Sequence, residues 1–312
     1  GFEGYYEMAD EDWSHPLGKG FTPTVDGITT HGLSLYLLTG EQRYKDRLVQ
    51  LADNIVQHIY PTMKTRKSGF EEQYDSDWKE TMSSFYFVGH VLKTSWCLQR
   101  AYLINPKPEY KNAAEAIMQD EWKKEWDLKY GGPFLTGNNL SGTITNHDKN
   151  YWVIEQGITS GLINYYVTKN PLFLKMADQS ADFFEKYIED KKNGEVIDTV
   201  SVDGSERIVT DKGSYWKSGY HAMETGYFIY LYGNLYLKNK PVTLYYWIDK
   251  SKKNRSIPLN PVEIEPGVLV ISDVFLNDKK YSAYNAKTRI LTVPAGTEGE
   301  FRVTFSRATP TK

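Results

Sequence analysis

Six consecutive residues, Trp216-Lys217-Ser218-Gly219-Tyr220-His221, set an indole, an ammonium, a phenol and an imidazole where an apolar helical stretch begins. Imidazole titrates near neutral pH and both takes and gives a proton. Aromatic faces with a polar edge suit sugar rings, although they also fill ordinary cores. Two more histidines open apolar helices: His31 in Thr29-Thr30-His31-Gly32-Leu33 and His90 in Gly89-His90-Val91-Leu92-Lys93. Three imidazoles could therefore converge at one end of a helical array. The positive end of a helix dipole favours the neutral ring, which is the state a general base requires. Lys93 shares a helix face with His90, and a nearby ammonium pushes an imidazole the same way. For His31 a purely structural reading is also open, with Thr29 or Thr30 acting as a helix cap.

Other chemistries find less support. His15, His58 and His147 lie in loops or at a helix end, and without His-Glu-x-x-His spacing no metal site is expected. Gly-x-Ser-x-Gly, a P-loop and a dinucleotide fingerprint are also absent, so no cofactor is expected. Asp75, Asp77, Glu155 and Glu224 could supply a glycosidase carboxylate pair, which requires a separation that the sequence does not reveal.

These residues must be held by a substantial scaffold. The chain has 312 residues and a formal net charge of -3, enough length for one large domain or two and no electrostatic case for nucleic acid. Its single cysteine, Cys97, lies in an apolar helical stretch and reads as a buried core thiol. No apolar run is long enough to span a bilayer, and the start, Gly1-Phe2-Glu3-Gly4, is not a signal peptide. The compartment stays open, because a leader could have been removed.

Apolar spacing of helical period predicts helices over about 25–38, 41–60, 84–104, 109–126, 152–169, 172–188 and 219–237. Asn105-Pro106 and Asn170-Pro171 mark breaks between hairpin partners. The long Gly-rich and aromatic segments 61–83, 127–151 and 189–218 are expected to build a pocket at one end of a toroid of hairpins. After Lys240-Pro241 the period changes to two, with strands at Val242–Ile248, Gly267–Ile271, Arg289–Val293 and Glu300–Phe305 and a turn at Asn277-Asp278. The expected organisation is a helical toroid domain over 1–240 and a small antiparallel β-sandwich, packing or accessory in role, over 241–312.

Several segments resemble the N-acylglucosamine 2-epimerase family, which includes cellobiose 2-epimerases and aldose-ketose isomerases. Gly4-Tyr5-Tyr6-Glu7 with Asp12-Trp13 is similar to its Gly-Tyr-x-Glu…Asp-Trp loop, and Thr30-His31 to its His-bearing helix start. Gly89-His90…Trp96 resembles Gly-His-x-x-Glu-x-x-Trp, Lys149-Asn150-Tyr151-Trp152 resembles Lys-x-Trp-Trp, and Trp216-Lys217…Tyr220-His221 resembles Trp-Lys-x-x-Tyr-His. The resemblance implies an (α/α)6-barrel-like toroid in which His31, His90 and His221 are the catalytic imidazoles and Trp152 and Trp216 are sugar-stacking walls. Tyr151, Lys217, Tyr220 and Lys93 beside them become further substrate-binding candidates. It also implies a cytoplasmic enzyme without a cofactor.

Lys93 and Gln156 stand where the family carries glutamates, and Thr29 where relatives often show another histidine. About seven helices are legible where a closed toroid needs about twelve. The expectation is therefore an incomplete barrel, lacking its N-terminal part, with a missing segment or another chain covering its open side. The expected activity is 2-epimerisation or aldose-ketose isomerisation of an open-chain mono- or disaccharide through an enediolate. The rivals are a noncatalytic carbohydrate-binding homologue and a helical-toroid glycosidase.

Overall fold

The computed structural model describes residues 4–308. The chain divides into two compact units, residues 1–33 with 42–229, and residues 34–41 with 230–312. The helices are α1 (Leu33–Thr39), α2 (Gln42–Asn54), α3 (Val88–Ile104), α4 (Pro108–Lys124), α5 (Tyr151–Thr168), α6 (Pro171–Phe183) and α7 (Tyr220–Tyr232). Wide π-type turns precede α1 and extend α2, α6 and α7.

Within the first unit, amphipathic helices pack against helices buried on every side. Helix α4 buries Tyr110, Ala113, Ala114, Ile117 and Met118, the stripe expected of one helical face. Helix α6 does the same with Phe173, Met176, Ala177, Ser180 and Phe183. By contrast, α3 is buried without interruption from Val91 to Ala101 and α5 from Val153 to Asn164. The packing explains this, because α3 lies against both α4 and α5, while α5 lies against α6 and α3. Each large side chain sealed in this way contributes about 1.5–3 kcal/mol of apolar transfer. Cys97, on α3, is fully buried, and burial holds its thiol well above the usual range.

The helix starts are pinned by short ladders. Phe85–Phe87 pairs antiparallel with Thr136–Asn138 immediately before α3. Lys149–Asn150 pairs with Thr199–Val200 immediately before α5. Asn150 then caps α5, its side chain accepting the Trp152 N–H at 3.1 Å while its own amide donates to Asp198 and Thr199. The helix expected from about residue 84 begins instead at Val88, because 85–87 is extended and committed to this ladder.

The second unit carries two small antiparallel sheets. One has the order 279–280, 269–276, 299–307, 242–248, and the other the order 255–258, 290–293, 284–285. Phe301, Val303 and Phe305 alternate inward along their strand, the period of a half-buried sheet. Asn277 and Asp278 both adopt positive φ at the hairpin tip, as a two-residue turn between twisted strands requires. No helix among the described residues is long and apolar enough to cross a membrane.

Candidate functional site

His90, Trp152 and His221 each sit in the first turn of a helix, on α3, α5 and α7. The Trp152 indole contacts both imidazoles, with centroids 5.4 Å from His90 and 5.7 Å from His221. Gly89 allows this approach, since a Cβ there would lie 2.3 Å from the Trp152 ring. Phe21 stacks on His90 at 3.8 Å, and Phe87 meets it edge-on at 5.1 Å.

His90 is oriented by a carboxylate. Its Nδ1 lies 2.9 Å from Glu72 Oε1, the same oxygen that accepts the Phe87 N–H at 3.0 Å. An Nδ1–H donated to Glu72 leaves Nε2 with a free lone pair, and the carboxylate stabilises the imidazolium formed when that lone pair takes a proton. Glu72 lies in the loop 61–83, where no periodicity or motif singles out one carboxylate among several. The length of the loop was the only sequence signal. Phe21 lies before the first expected helix, and Asp26 and Phe87 lie within segments expected as helices, with no motif to mark any of the three.

His221 is held differently. Its Nδ1 lies 3.5 Å from Gln156 Nε2 and 3.9 Å from Glu224 Oε2. Burial first, then the Lys93 ammonium, lowers its pKa to about 4, Asp26 opposing and His90 adding to the shift. Lys93 is itself buried and paired with Asp26 at 2.7 Å. Burial is the largest single influence and works against its charge, but Asp26, Cys97 and Glu224 together outweigh it and raise the pKa. Lys93 also lies 5.9 Å from the Tyr220 ring, whose hydroxyl donates to Glu224 at 2.9 Å.

The remaining expected residues fall elsewhere. His31 lies in the π-type turn Ile28–Gly32 with its ring 5.2 Å from Tyr5, on a cavity of about 660 Å3 lined also by Glu7, Trp13 and Asp26. Burial and the Arg47 guanidinium lower its pKa. Asp26 joins the two regions, because it lines the His31 cavity and pairs with Lys93. Trp216, expected as a sugar wall, is 88% exposed and packs edge-on with Tyr215. Its neighbour Lys217 turns inward to Glu195, the Val196 carbonyl and the Asp211 carbonyl, so it anchors the loop before α7. Tyr151 is buried in a cluster with Ile154, Phe183 and Ile188. The loop thus sends alternate side chains to opposite sides, an outcome that adjacency in sequence cannot show.

Of the acidic residues weighed for a glycosidase, Asp75 has a structural role. Asp75 Oδ1 accepts the backbone N–H groups of Asp77 and Lys79 in a tight turn. Glu155 is fully buried, and burial with the fields of Glu224 and Glu195 holds its carboxyl well above the usual range. No cluster of three or more metal-ligating side chains occurs among the described residues.

The profile described as N-acylglucosamine 2-epimerase (GlcNAc 2-epimerase) matches residues 2–225. The chain belongs to the N-acylglucosamine 2-epimerase family. It is similar to the D-mannose isomerase of Marinomonas mediterranea, with 25% identity over 212 residues that cover 62% of this chain and 52% of that protein. The chain thus spans about half the length of the curated relative it matches. Among solved structures it resembles a D-mannose isomerase with a TM-score of 0.63 at 21% identity, over 73% of this chain and 60% of that one. It also resembles the cellobiose 2-epimerase of Spirochaeta thermophila DSM 6192 with a TM-score of 0.62 at 23% identity, over 71% and 57% of the two chains. The fold is thus the helical toroid type of the N-acylglucosamine 2-epimerase family, a family of sugar epimerases and isomerases.

Proposed function

We propose that this N-acylglucosamine 2-epimerase family member moves a proton at C2 of an open-chain aldose, as a sugar 2-epimerase or aldose-ketose isomerase. The observation that carries this reading is the Trp152 indole in contact with two imidazoles, one of them oriented by Glu72. An aromatic face provides a surface for a sugar, and an imidazole with a fixed tautomer provides a base. In this reading His90 Nε2 removes the C2 proton, the C–H electrons form the C1–C2 double bond, and charge collects on O1 as an enediolate. Stabilising that oxyanion matters as much as the base, since the carbon acid is weak. His221 and the Lys93 ammonium stand close enough to His90 to share that work. His31 on the cavity side assists ring opening, with Tyr5 and Asp26 lining the approach. Tyr220 is an additional substrate contact. The helical hairpins are read as consecutive parts of an (α/α)6-like toroid, with the β unit as accessory.

Incubating the protein in D2O with mannose, glucose, N-acetylmannosamine and cellobiose tests the proposal. Deuterium appearing at C2 of at least one sugar, or a ketose product, is expected. Binding with neither exchange nor ketose formation in every case would refute it in favour of a carbohydrate-binding role.

A further inference from the structure

The two imidazoles contacting Trp152 differ in the groups that hold them. His90 Nδ1 meets a carboxylate, whereas the polar atom nearest to His221 Nδ1 is the side-chain amide of Gln156. The orientation of that amide follows from its other partner. Trp96 Nε1 lies 2.7 Å from Gln156 Oε1, and both residues are fully buried. An indole N–H can only donate, so the oxygen must face it. Turning the amide over would set its N–H against the Trp96 N–H, two buried donors with no acceptor between them, the costly outcome for sealed polar groups. Gln156 Nε2 therefore faces His221 with an N–H, and an imidazole nitrogen meeting a donor must be the one without a proton. Glu224, the competing acceptor, stands beyond hydrogen-bond distance from Nδ1 at 3.9 Å, and its Oε1 is engaged by Tyr220.

We infer that Trp96 and Gln156 together lock His221 as a neutral Nε2–H donor, leaving His90 as the sole C2 base and directing the site toward aldose-ketose isomerisation rather than 2-epimerisation. This rests on the C2 proton-transfer reading above. His90 Nε2 takes the proton from C2 and returns it to C1 on the same face. Meanwhile His221 Nε2–H keeps its proton and donates a hydrogen bond to O1, the C2 hydroxyl proton passes to O1, and the electrons left on O2 close the new C2 carbonyl as C1 takes the proton from His90. Atoms and charge balance, and both imidazoles end as they began. Epimerisation would instead need an acid on the opposite face of C2. Neutral His221 could serve there only by becoming an imidazolate, and burial together with Lys93 disfavours the imidazolium that would make it a competent acid. Gln156 is thus a positioning residue that acts through His221.

Nitrogen-15 NMR of histidine-labelled protein reads the tautomer directly, with His221→Asn assigning its signals. His221 protonated at Nε2 at neutral pH supports the inference, and protonation at Nδ1 overturns it whatever the activity. Initial rates on mannose read the consequence. Ketose should exceed 2-epimer by at least about tenfold, given that a general acid contributes about 10²–10⁴-fold. Carbon-2 deuterium of labelled mannose should be found partly at C1 of the ketose. Gln156→Glu, which supplies an acceptor to Nδ1, and Trp96→Phe, which frees the amide to turn, should both move the His221 proton to Nδ1 and raise the epimer fraction. Wild-type protein forming mainly 2-epimer would overturn the inference. Absence of both C2 exchange and ketose formation with every sugar would instead overturn the underlying reading, while the NMR still decides the state of His221.

Discussion

Gly89 has no side chain because the Trp152 ring occupies the space where its Cβ would stand. Gly89→Ala must therefore push the indole off the two imidazoles while leaving both present. A displacement of this kind is expected to lower kcat/KM by about 10²-fold with little loss of stability, which steady-state kinetics and a thermal melt together would check. Glu72→Gln keeps an acceptor opposite His90 Nδ1 but removes the charge that stabilises the imidazolium. About a 10²-fold fall in kcat with KM unchanged is expected, and a KM effect alone would argue that Glu72 binds sugar instead. At this scale the sequence was informative about residue types and weak on partners. Gly89-His90 and Trp152 are visible as a motif, yet Glu72 is a loop carboxylate brought to His90 from 18 positions away by the fold. Trp216 differs, since Lys217 anchors the loop before α7 and the neighbouring indole is largely exposed, which adjacency in sequence does not reveal.

Helices α3 and α5 deliver His90 and Trp152 accurately because short ladders fix where each begins. The Asn150 cap couples the ladder to the helix by bonding the Trp152 N–H on one side and Asp198 with Thr199 on the other. Asn150→Ala should cost about 1–2 kcal/mol of unfolding free energy, as lost caps do, measurable by urea denaturation. The helices themselves were readable from periodicity, and the one-sided stripes of α4 and α6 and the unbroken buried runs of α3 and α5 differ as outer and sandwiched elements should. The ladders were not, because two or three extended residues carry no period that a sequence can display. In the second unit the longer strands and the Asn277-Asp278 turn were legible, and the short strand at Tyr284–Asn285 was not.

For the whole molecule, keeping His221 neutral ties stability to acidity. Its pKa is about 4 in the folded chain against an ordinary 6.5, so between those values the unfolded chain binds more protons and stability falls as pH falls. The loss across that window is up to about 3 kcal/mol, and His221→Asn should flatten this part of the urea stability curve. The central claim, proton transfer at C2 by the imidazoles around Trp152, meets its most direct test in hydrogen exchange. Proton NMR of mannose in D2O would follow the C2–H signal with wild-type protein and with His90→Asn. The account predicts enzyme-dependent loss of that signal or ketose formation in the wild type, abolished in the variant while sugar binding persists. Exchange that survives His90→Asn at the wild-type rate would contradict it.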